Sequence, residues 1–305
     1  MSILVVGSVA LDSVETPFGK TEDAIGGSAT FFSASASHLT KVNLVGVVGT
    51  DYPLDQLEPL RERGVDLSGL VQAEGESFRW RGRYRHDLNS AETIETRLGV
   101  FSQFRPRIPE QFRESPYVFL GNIDPRLQLD VLDQVDTPRL VACDTMNFWI
   151  ESRRNEIIEL LGRVDILLVN DGEARQLTEE YNLVRAARWV LAHGPKYVVI
   201  KKGEHGAYMF SSHAVFFAPA YPLEEVFDPT GAGDSFAGGF MGYLARTGRT
   251  DEAALRRAVI YGSTLGSFAV ESFSIDRLLE IHRVDIARRL EEFRKLVAFE
   301  EELEE

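Results

Sequence analysis

The sequence predicts an α/β fold: a three-layer α/β/α sandwich on a mostly parallel central sheet, with a small antiparallel β lid. Six short, continuous apolar runs rich in Val, Ile and Leu alternate with amphipathic stretches of helical period, the pattern of strands buried on both faces. One segment, residues 77–100, breaks the alternation with a period of two. Across 305 residues there is no repeat and no low-complexity linker. A single domain over 1–305, with a lid formed by about 11–24 and 77–100, is therefore expected.

Taken in order, residues 3–6 form the first strand, and a helix of small residues over 28–39 leads into a second strand at 43–48. Further strands are expected at 117–120, 140–143, 165–169 and 197–200, with helices at 126–135, 154–161 and 184–193. In such sheets ligands sit beyond the carboxyl ends of the strands. That directs attention to Gly121-Asn122, residues 144–147, 170–173 and 201–206. The last third reads as helical, over 235–245, 251–269 and 286 to the end. The closing run Glu300-Glu301-Glu302-Leu303-Glu304-Glu305 reads as a solvated tail.

In the period-two segment, Phe78, Trp80, Gly82 and Tyr84 fall on one face and Arg79, Arg81, Arg83 and Arg85 on the other. The arginines read as a solvated strand face. The aromatic face needs cover, either from a ligand or from the same face of a second subunit, so a homodimer through the lid is an expectation.

Composition narrows the function classes. With 33 basic and 47 acidic residues the net charge is −14, which argues against nucleic acid or an anionic membrane as partner. Any phosphate must be held in a local pocket, by backbone amides or a metal. No apolar run reaches the ~20 residues of a membrane span, and the N-terminus lacks a signal-peptide pattern. Cys143, the one cysteine, stands in an apolar run and reads as a core residue rather than a catalytic thiol. A cytoplasmic location is the expectation.

The strongest chemical signal is Asp228-Pro229-Thr230-Gly231-Ala232-Gly233-Asp234. The residues 231–233 let a turn aim several N–H groups at one spot, and the following helix adds its positive dipole end. An anion fits there. Asp234 beside it could simply cap the helix, where Asp is favoured. It could also accept a hydroxyl proton while the amides hold a phosphoryl group in transfer. The second reading carries more weight, because a cap alone does not explain a carboxylate beside a glycine-built anion site. Gly238, Gly239 and Gly242 are unfavourable inside a helix unless a backbone must approach closely, so this helix is expected to lie buried against the sheet.

With these residues in view, the chain resembles the ribokinase-like, or PfkB-type, family of carbohydrate and nucleoside kinases, over nearly its whole length. The resemblance implies a ribokinase-like Rossmann-type sandwich and ATP-dependent phosphoryl transfer to a sugar hydroxyl. It implies Asp234 as general base and the amides of Gly231, Ala232 and Gly233 as anion hole. It also implies a monovalent cation, such as K+, at Asp228 and Thr230. Gly26-Gly27-Ser28-Ala29 is similar to the family's paired-glycine motif, and the run from Gly7 to Asp12 to its first strand and sugar-binding aspartate. On spacing alone Asp12 could equally be a turn residue. With Gly26 and Gly27 in register, the resemblance implies that Asp12, Gly26, Gly27 and Asp234 bind the acceptor.

Asn170-Asp171-Gly172-Glu173 is similar to the family's Asn-x-x-Glu motif. It implies Mg²⁺ organised by Glu173 and Asn170, mainly through water, as suits a cation that keeps much of its hydration shell. The same acidic residues could merely favour a helix start. Lys201-Lys202-Gly203-Glu204-His205-Gly206 resembles the Gly-Glu-x-Gly loop of the nucleotide site. The nucleotide-binding set so implied is Asn170, Lys201, Gly203, Gly206, Gly231 and Gly233, with the adenine near Ala258, Gly262 and Ser263. Two lysines differ from the hydroxyl or apolar residues common there; either reaches phosphate or stays in solvent.

The acceptor is less defined. Residues 144–149, Asp-Thr-Met-Asn-Phe-Trp, stand where an acceptor site is implied but lack the usual sugar-kinase pattern. A sugar or sugar derivative is the expectation. A nucleoside is the alternative, with Trp80, Tyr84, Phe148 and Trp149 available to stack a base. A non-catalytic ligand-binding regulator is a further alternative, disfavoured because Asp234, the glycines and Asn170 with Glu173 are all present. A P-loop is excluded because Val14 stands where its leading glycine belongs, and no Gly-x-Gly-x-x-Gly or zinc pattern occurs.

Overall fold

Consecutive residues of the first strand enter different cores. Ile3 and Val5 pack on one side of the sheet, Leu4 and Val6 on the other, which is why the run is apolar without alternation. The structure, a computed structural model, describes residues 1–298. The acidic run 300–305 lies outside the described residues.

In chain order the strands are β1 (Ser2–Val6), β2 (Ala10–Thr16), β3 (Gly19–Gly26), β4 (Lys41–Gly49), β5 (Val65–Ala73), β6 (Phe78–Tyr84), β7 (Ala91–Arg97), β8 (Tyr117–Leu120), β9 (Leu140–Asp144), β10 (Ile166–Asn170), β11 (Tyr197–Lys201), β12 (Ala207–Phe210) and β13 (Val215–Ala218). Nine of them form the main sheet in the order β13-β12-β11-β10-β9-β8-β1-β4-β5. All pairings from β11 to β5 are parallel, and β12 and β13 close the far edge antiparallel. The longer helices are α1 (Ser28–Ala36), α2 (Pro125–Leu132), α3 (Arg154–Leu161), α4 (Asp171–Thr178), α5 (Leu183–Ala192), α6 (Ala232–Thr247), α7 (Glu252–Ala269) and α8 (Arg283–Val297). Residues of α1, α6 and α7 join the core on one face; those of α2 to α5 join the core on the other.

The second sheet has four strands in the order β3-β2-β6-β7. Its two hairpins, β2–β3 and β6–β7, are antiparallel, and β2 joins β6 in parallel register, Asp12 opposite Trp80. The second lid strand stops at Arg97 rather than near residue 100. Gly99 takes φ of 51° there, and a Cβ on it would stand 2.1 Å from the Glu76 carbonyl oxygen, so the chain turns. The arginine face is a solvated one: Arg79 pairs with Asp51, Arg83 with Glu15 and Arg85 with Glu92.

A helix boundary differs from the sequence expectation. Helix α1 ends at Ala36, three residues early. Helix α6 lies buried on the sheet as expected, sharing a core with residues of β1 and β8, and its glycines let the neighbouring helices α1 and α7 approach it closely. A Cβ on Gly238 would meet the Phe32 carbonyl of α1 at 2.4 Å, and one on Gly239 the Tyr261 carbonyl of α7 at 2.6 Å. Gly262 likewise lets α7 approach Phe236, and Ala258 is fully buried.

Candidate active site

The parallel strands β1, β8, β9, β10 and β11 end on one side, and the residues that follow them share that rim. The first corner is built by reciprocal serines. Ser28 N–H donates to Ser8 Oγ at 2.9 Å and Ser8 N–H to Ser28 Oγ at 3.1 Å, which ties the end of β1 to the start of α1. Gly27 precedes that helix with φ of 92° and passes so close to Ser8 that a Cβ would lie 2.5 Å from its carbonyl oxygen. Its N–H donates to Asp12 Oδ2 at 3.3 Å. Asp12 is buried; desolvation, reinforced by the charges of Asp228 and Asp234, pushes its carboxyl up to about 7.

Facing this corner is the start of α6. Gly231 is the N-cap, in the left-handed region at φ 71°, and Phe31 packs where its Cβ would be. The helix thus begins at Ala232, three residues before the sequence pattern placed it, and Asp234 is its third residue rather than its cap. Among the described residues the Asp234 side chain makes no hydrogen bond to another residue, its own backbone N–H being the donor that reaches it. Burial and the neighbouring Asp144 charge push its carboxyl up to about 7, against the pull of Lys201. Upstream, buried Asp228 accepts the Thr230 N–H at 2.8 Å and so shapes the turn itself.

The third group lies at the ends of β9, β10 and β11. Lys201 Nζ donates to Asp144 Oδ2 at 3.1 Å, both side chains being mostly buried. Burial opposes the Lys201 charge, but Asp144, Glu173 and Asp234 outweigh it and raise its pKa. Lys202 points elsewhere, 5.9 Å from the centre of the Tyr208 ring. Asn170 and Glu173 form a reciprocal cap on α4, and burial with the Asp144 charge holds the Glu173 carboxyl well above the usual range. Oxygen donors of this kind suit Mg²⁺ held through water. Among the described residues no group of three or more His, Cys, Asp or Glu side chains is placed to hold a metal ion directly.

Gly203 and Gly206 bound a short turn after β11, both at positive φ. The lid reaches this turn: Asn89 donates to Glu204 Oε1 at 3.1 Å. It also reaches the α6 loop, where Thr230 Oγ1 donates to the Tyr84 hydroxyl at 3.4 Å. Of the four candidate stacking rings, Tyr84 comes to the site. Trp80 lies along its own strand over Gly82 and donates to Thr93, Trp149 packs on the core, and Phe148 is exposed. Cys143 is buried, and burial pushes its thiol up, as befits a core residue.

A family model described as pfkB family carbohydrate kinase matches residues 2–280. The chain belongs to the PfkB family. It is a kinase, a phosphotransferase with a hydroxyl acceptor on a sugar or nucleoside. A cytidine kinase of Thermococcus kodakarensis is 32% identical over 262 residues, covering 84% of this chain and 92% of that protein. A nucleoside kinase of Methanothermobacter thermautotrophicus is 26% identical over 286 residues, covering 88% of this chain and 89% of that protein. Among solved structures, a putative ribokinase II of E. coli in complex with ATP and Mg²⁺ superposes with a TM-score of 0.79 at 18% identity, over 97% and 99% of the two chains. Aminoimidazole riboside kinase of Salmonella enterica, complexed with aminoimidazole riboside and an ATP analogue, gives 0.77 at 20% identity over 95% and 100%. The fold of this PfkB kinase is therefore the ribokinase fold. No helix among its described residues is long and apolar enough to cross a membrane.

Proposed function

We propose that this PfkB kinase transfers the terminal phosphoryl group of ATP to a ribose hydroxyl of a nucleoside. The observation that carries the reading is the Asp234 carboxyl, hydrogen-bonded to no other residue among the described ones, in the first turn of α6 behind the glycine turn. A cytidine kinase and a nucleoside kinase, aligned over 92% and 89% of their own length, favour a nucleoside over a free sugar; a 2-dehydro-3-deoxygluconokinase aligns over less of its own length, 70%.

In this mechanism Asp12, held by the Gly27 amide, binds hydroxyls of the acceptor sugar. Asp234 takes the proton of the attacking hydroxyl as its oxygen forms a bond to the terminal phosphorus and the bond to the departing ADP oxygen breaks. The N–H groups of Gly231, Ala232 and Gly233 hold the phosphoryl oxygens, aided by the positive end of α6. The Gly203–Gly206 turn and Lys201 border the nucleotide. Asn170 and Glu173 would hold Mg²⁺ through water, and when bound it neutralises phosphate charge. Tyr84 closes the acceptor side from the lid.

The test is ATP consumption with cytidine, other nucleosides, ribose and fructose, comparing wild type with Asp234→Asn. Nucleoside-stimulated turnover, reduced about 10²–10⁴-fold in the variant, is expected. Stimulation by free sugars alone would reject the nucleoside assignment, and an undiminished Asp234→Asn would reject the base.

A further inference from the structure

The glycine turn offers only uncharged amides to a polyphosphate, in a protein of net charge −14. Around it stand carboxylates. The charges that act on Asp234 and Glu173 come from Asp144, from each other's neighbourhood, and from a single cation, Lys201. Its position is specific: a Cβ on Gly233 would lie 2.9 Å from Lys201 Nζ, so the ammonium rests against the turn itself. The lysine comes from the end of β11, and Asp144 from the end of β9, two strands away across β10.

We infer that Asp144 is a positioning residue that holds the Lys201 ammonium against the Gly233 turn, where it contacts the terminal phosphoryl group of the nucleotide. This rests on the kinase reading above. Asp144 is itself preset for the task. Its Oδ1 accepts the Thr145 N–H at 2.7 Å, leaving Oδ2 for Lys201. Its backbone carbonyl accepts from buried Gln128, which also binds the carbonyls of Leu120 and Gly121 and so ties the ends of β8 and β9 together. A lysine ammonium has three donors, and among the described residues Lys201 donates to Asp144 alone. Two remain for an anion. Desolvation would otherwise favour a neutral amine at this depth, so the aspartate keeps the charge in place until phosphate arrives. A cation at that point binds the group that ATP has and ADP lacks.

The alternative is a buried ion pair that only ties β9 to β11. Calorimetric titration of the full-length protein with ADP and with AMP-PNP, both with Mg²⁺, separates the two. Wild type, Lys201→Met, Lys201→Arg and Asp144→Asn are compared, each after a thermal melt. Lys201→Met is expected to lose about tenfold or more in AMP-PNP affinity, the worth of a charge-assisted hydrogen bond, with ADP affinity changed less than about twofold. Asp144→Asn is expected to lose part of the same preference, and Lys201→Arg to keep most of it. Equal losses for both nucleotides, or none, would overturn the phosphoryl contact. Loss in Lys201→Arg as complete as in Lys201→Met would overturn charge as its cause, and a wild-type Asp144→Asn would remove Asp144 from the proposal. If Lys201→Met gives no cooperative melt, the other two variants decide. Failure of the kinase reading looks different: wild type would show the Lys201-dependent preference for AMP-PNP yet phosphorylate no acceptor.

Discussion

Asn170 and Glu173 hold each other's backbone. The Asn170 N–H donates to Glu173 Oε2 and the Glu173 N–H to Asn170 Oδ1, each at 2.8 Å. A motif that signals a metal site by resemblance is, in the folded chain, also the reciprocal cap of α4. One side-chain oxygen pair therefore serves structure, and the remaining Glu173 oxygen stays outside the cap, open to the hydrated cation proposed above.

That division predicts two separable phenotypes. Glu173→Gln retains an acceptor for the Asn170 amide and removes a carboxylate charge that burial disfavours, so its melting temperature should not fall below wild type, while the Mg²⁺ concentration for half-maximal turnover rises. Asn170→Ala removes the cap and should cost about 1 kcal/mol, read as a melting shift of about 2–4 °C. If Glu173→Gln leaves the Mg²⁺ dependence unchanged, the pair is a cap only.

The carboxyl of Asp234 is pushed up to about 7 by burial and by the Asp144 charge. A base must be ionised to work, so turnover is expected to rise with pH through about 7 and level off above it. Stability runs the other way. The folded-state value lies above the unfolded one, so the native state holds the proton more tightly and loses stability as pH rises from about 4 to 7. Asp234→Asn carries no charge to bury. Its melting temperature should match wild type near pH 4 and exceed it by a growing margin up to pH 8, with activity lost throughout. A constant difference between the two proteins across this range would show that the Asp234 charge is not strained by its surroundings.

How far the sequence reveals this site depends on the range over which its residues cooperate. The glycine turn with Asp234, and Asn170 with Glu173, are local patterns and legible as such. Lys201 and Asp144 are 57 positions apart, and their pairing exists only because β10 lies between β9 and β11. No spacing rule discloses that order, so Asp144 was legible as a strand-end residue of the implied acceptor segment 144–149, but not as the partner of Lys201. The same limit hid three strands. β5 interrupts its apolar run with Asp66, Ser68 and Gly69, and β12 and β13 are four residues each. The second lid hairpin, β6 with β7, was visible in its period of two. The parallel junction of the lid, β2 with β6, joins residues far apart in sequence and was not.

Tyr84 brings the lid to the catalytic loop through Thr230. At 3.4 Å this hydrogen bond is long, so its removal alone should matter little, whereas the ring forms a wall. Tyr84→Phe is expected to leave the acceptor KM within about threefold, because a weak bond contributes little. Tyr84→Ala should raise it about tenfold or more, as loss of apolar contact from a substrate pocket does. The KM for ATP should stay constant in both. Parallel increases for ATP and acceptor would place Tyr84 in a general closing role instead of an acceptor wall.

Gly26 isolates the part played by Asp12. A Cβ at Gly26 would stand 2.0 Å from Asp12 Oδ2, yet Gly26 is absent from the residues at positive φ, so alanine's backbone is tolerated there. Gly27 differs, because its φ of 92° and its 2.5 Å approach to the Ser8 carbonyl make any side chain a backbone problem. In Gly26→Ala the carboxylate must turn away and release the Gly27 N–H, while the serine pairs that anchor α1 stay intact. Acceptor affinity should then fall about 10–100-fold, the range for losing a hydrogen bond to a charged group. AMP-PNP affinity and the melting temperature should remain near wild type. A variant that folds and keeps its acceptor affinity would show that Asp12 does not bind the substrate, and one that loses both ligands equally would show that the corner supports the whole site rather than the acceptor alone.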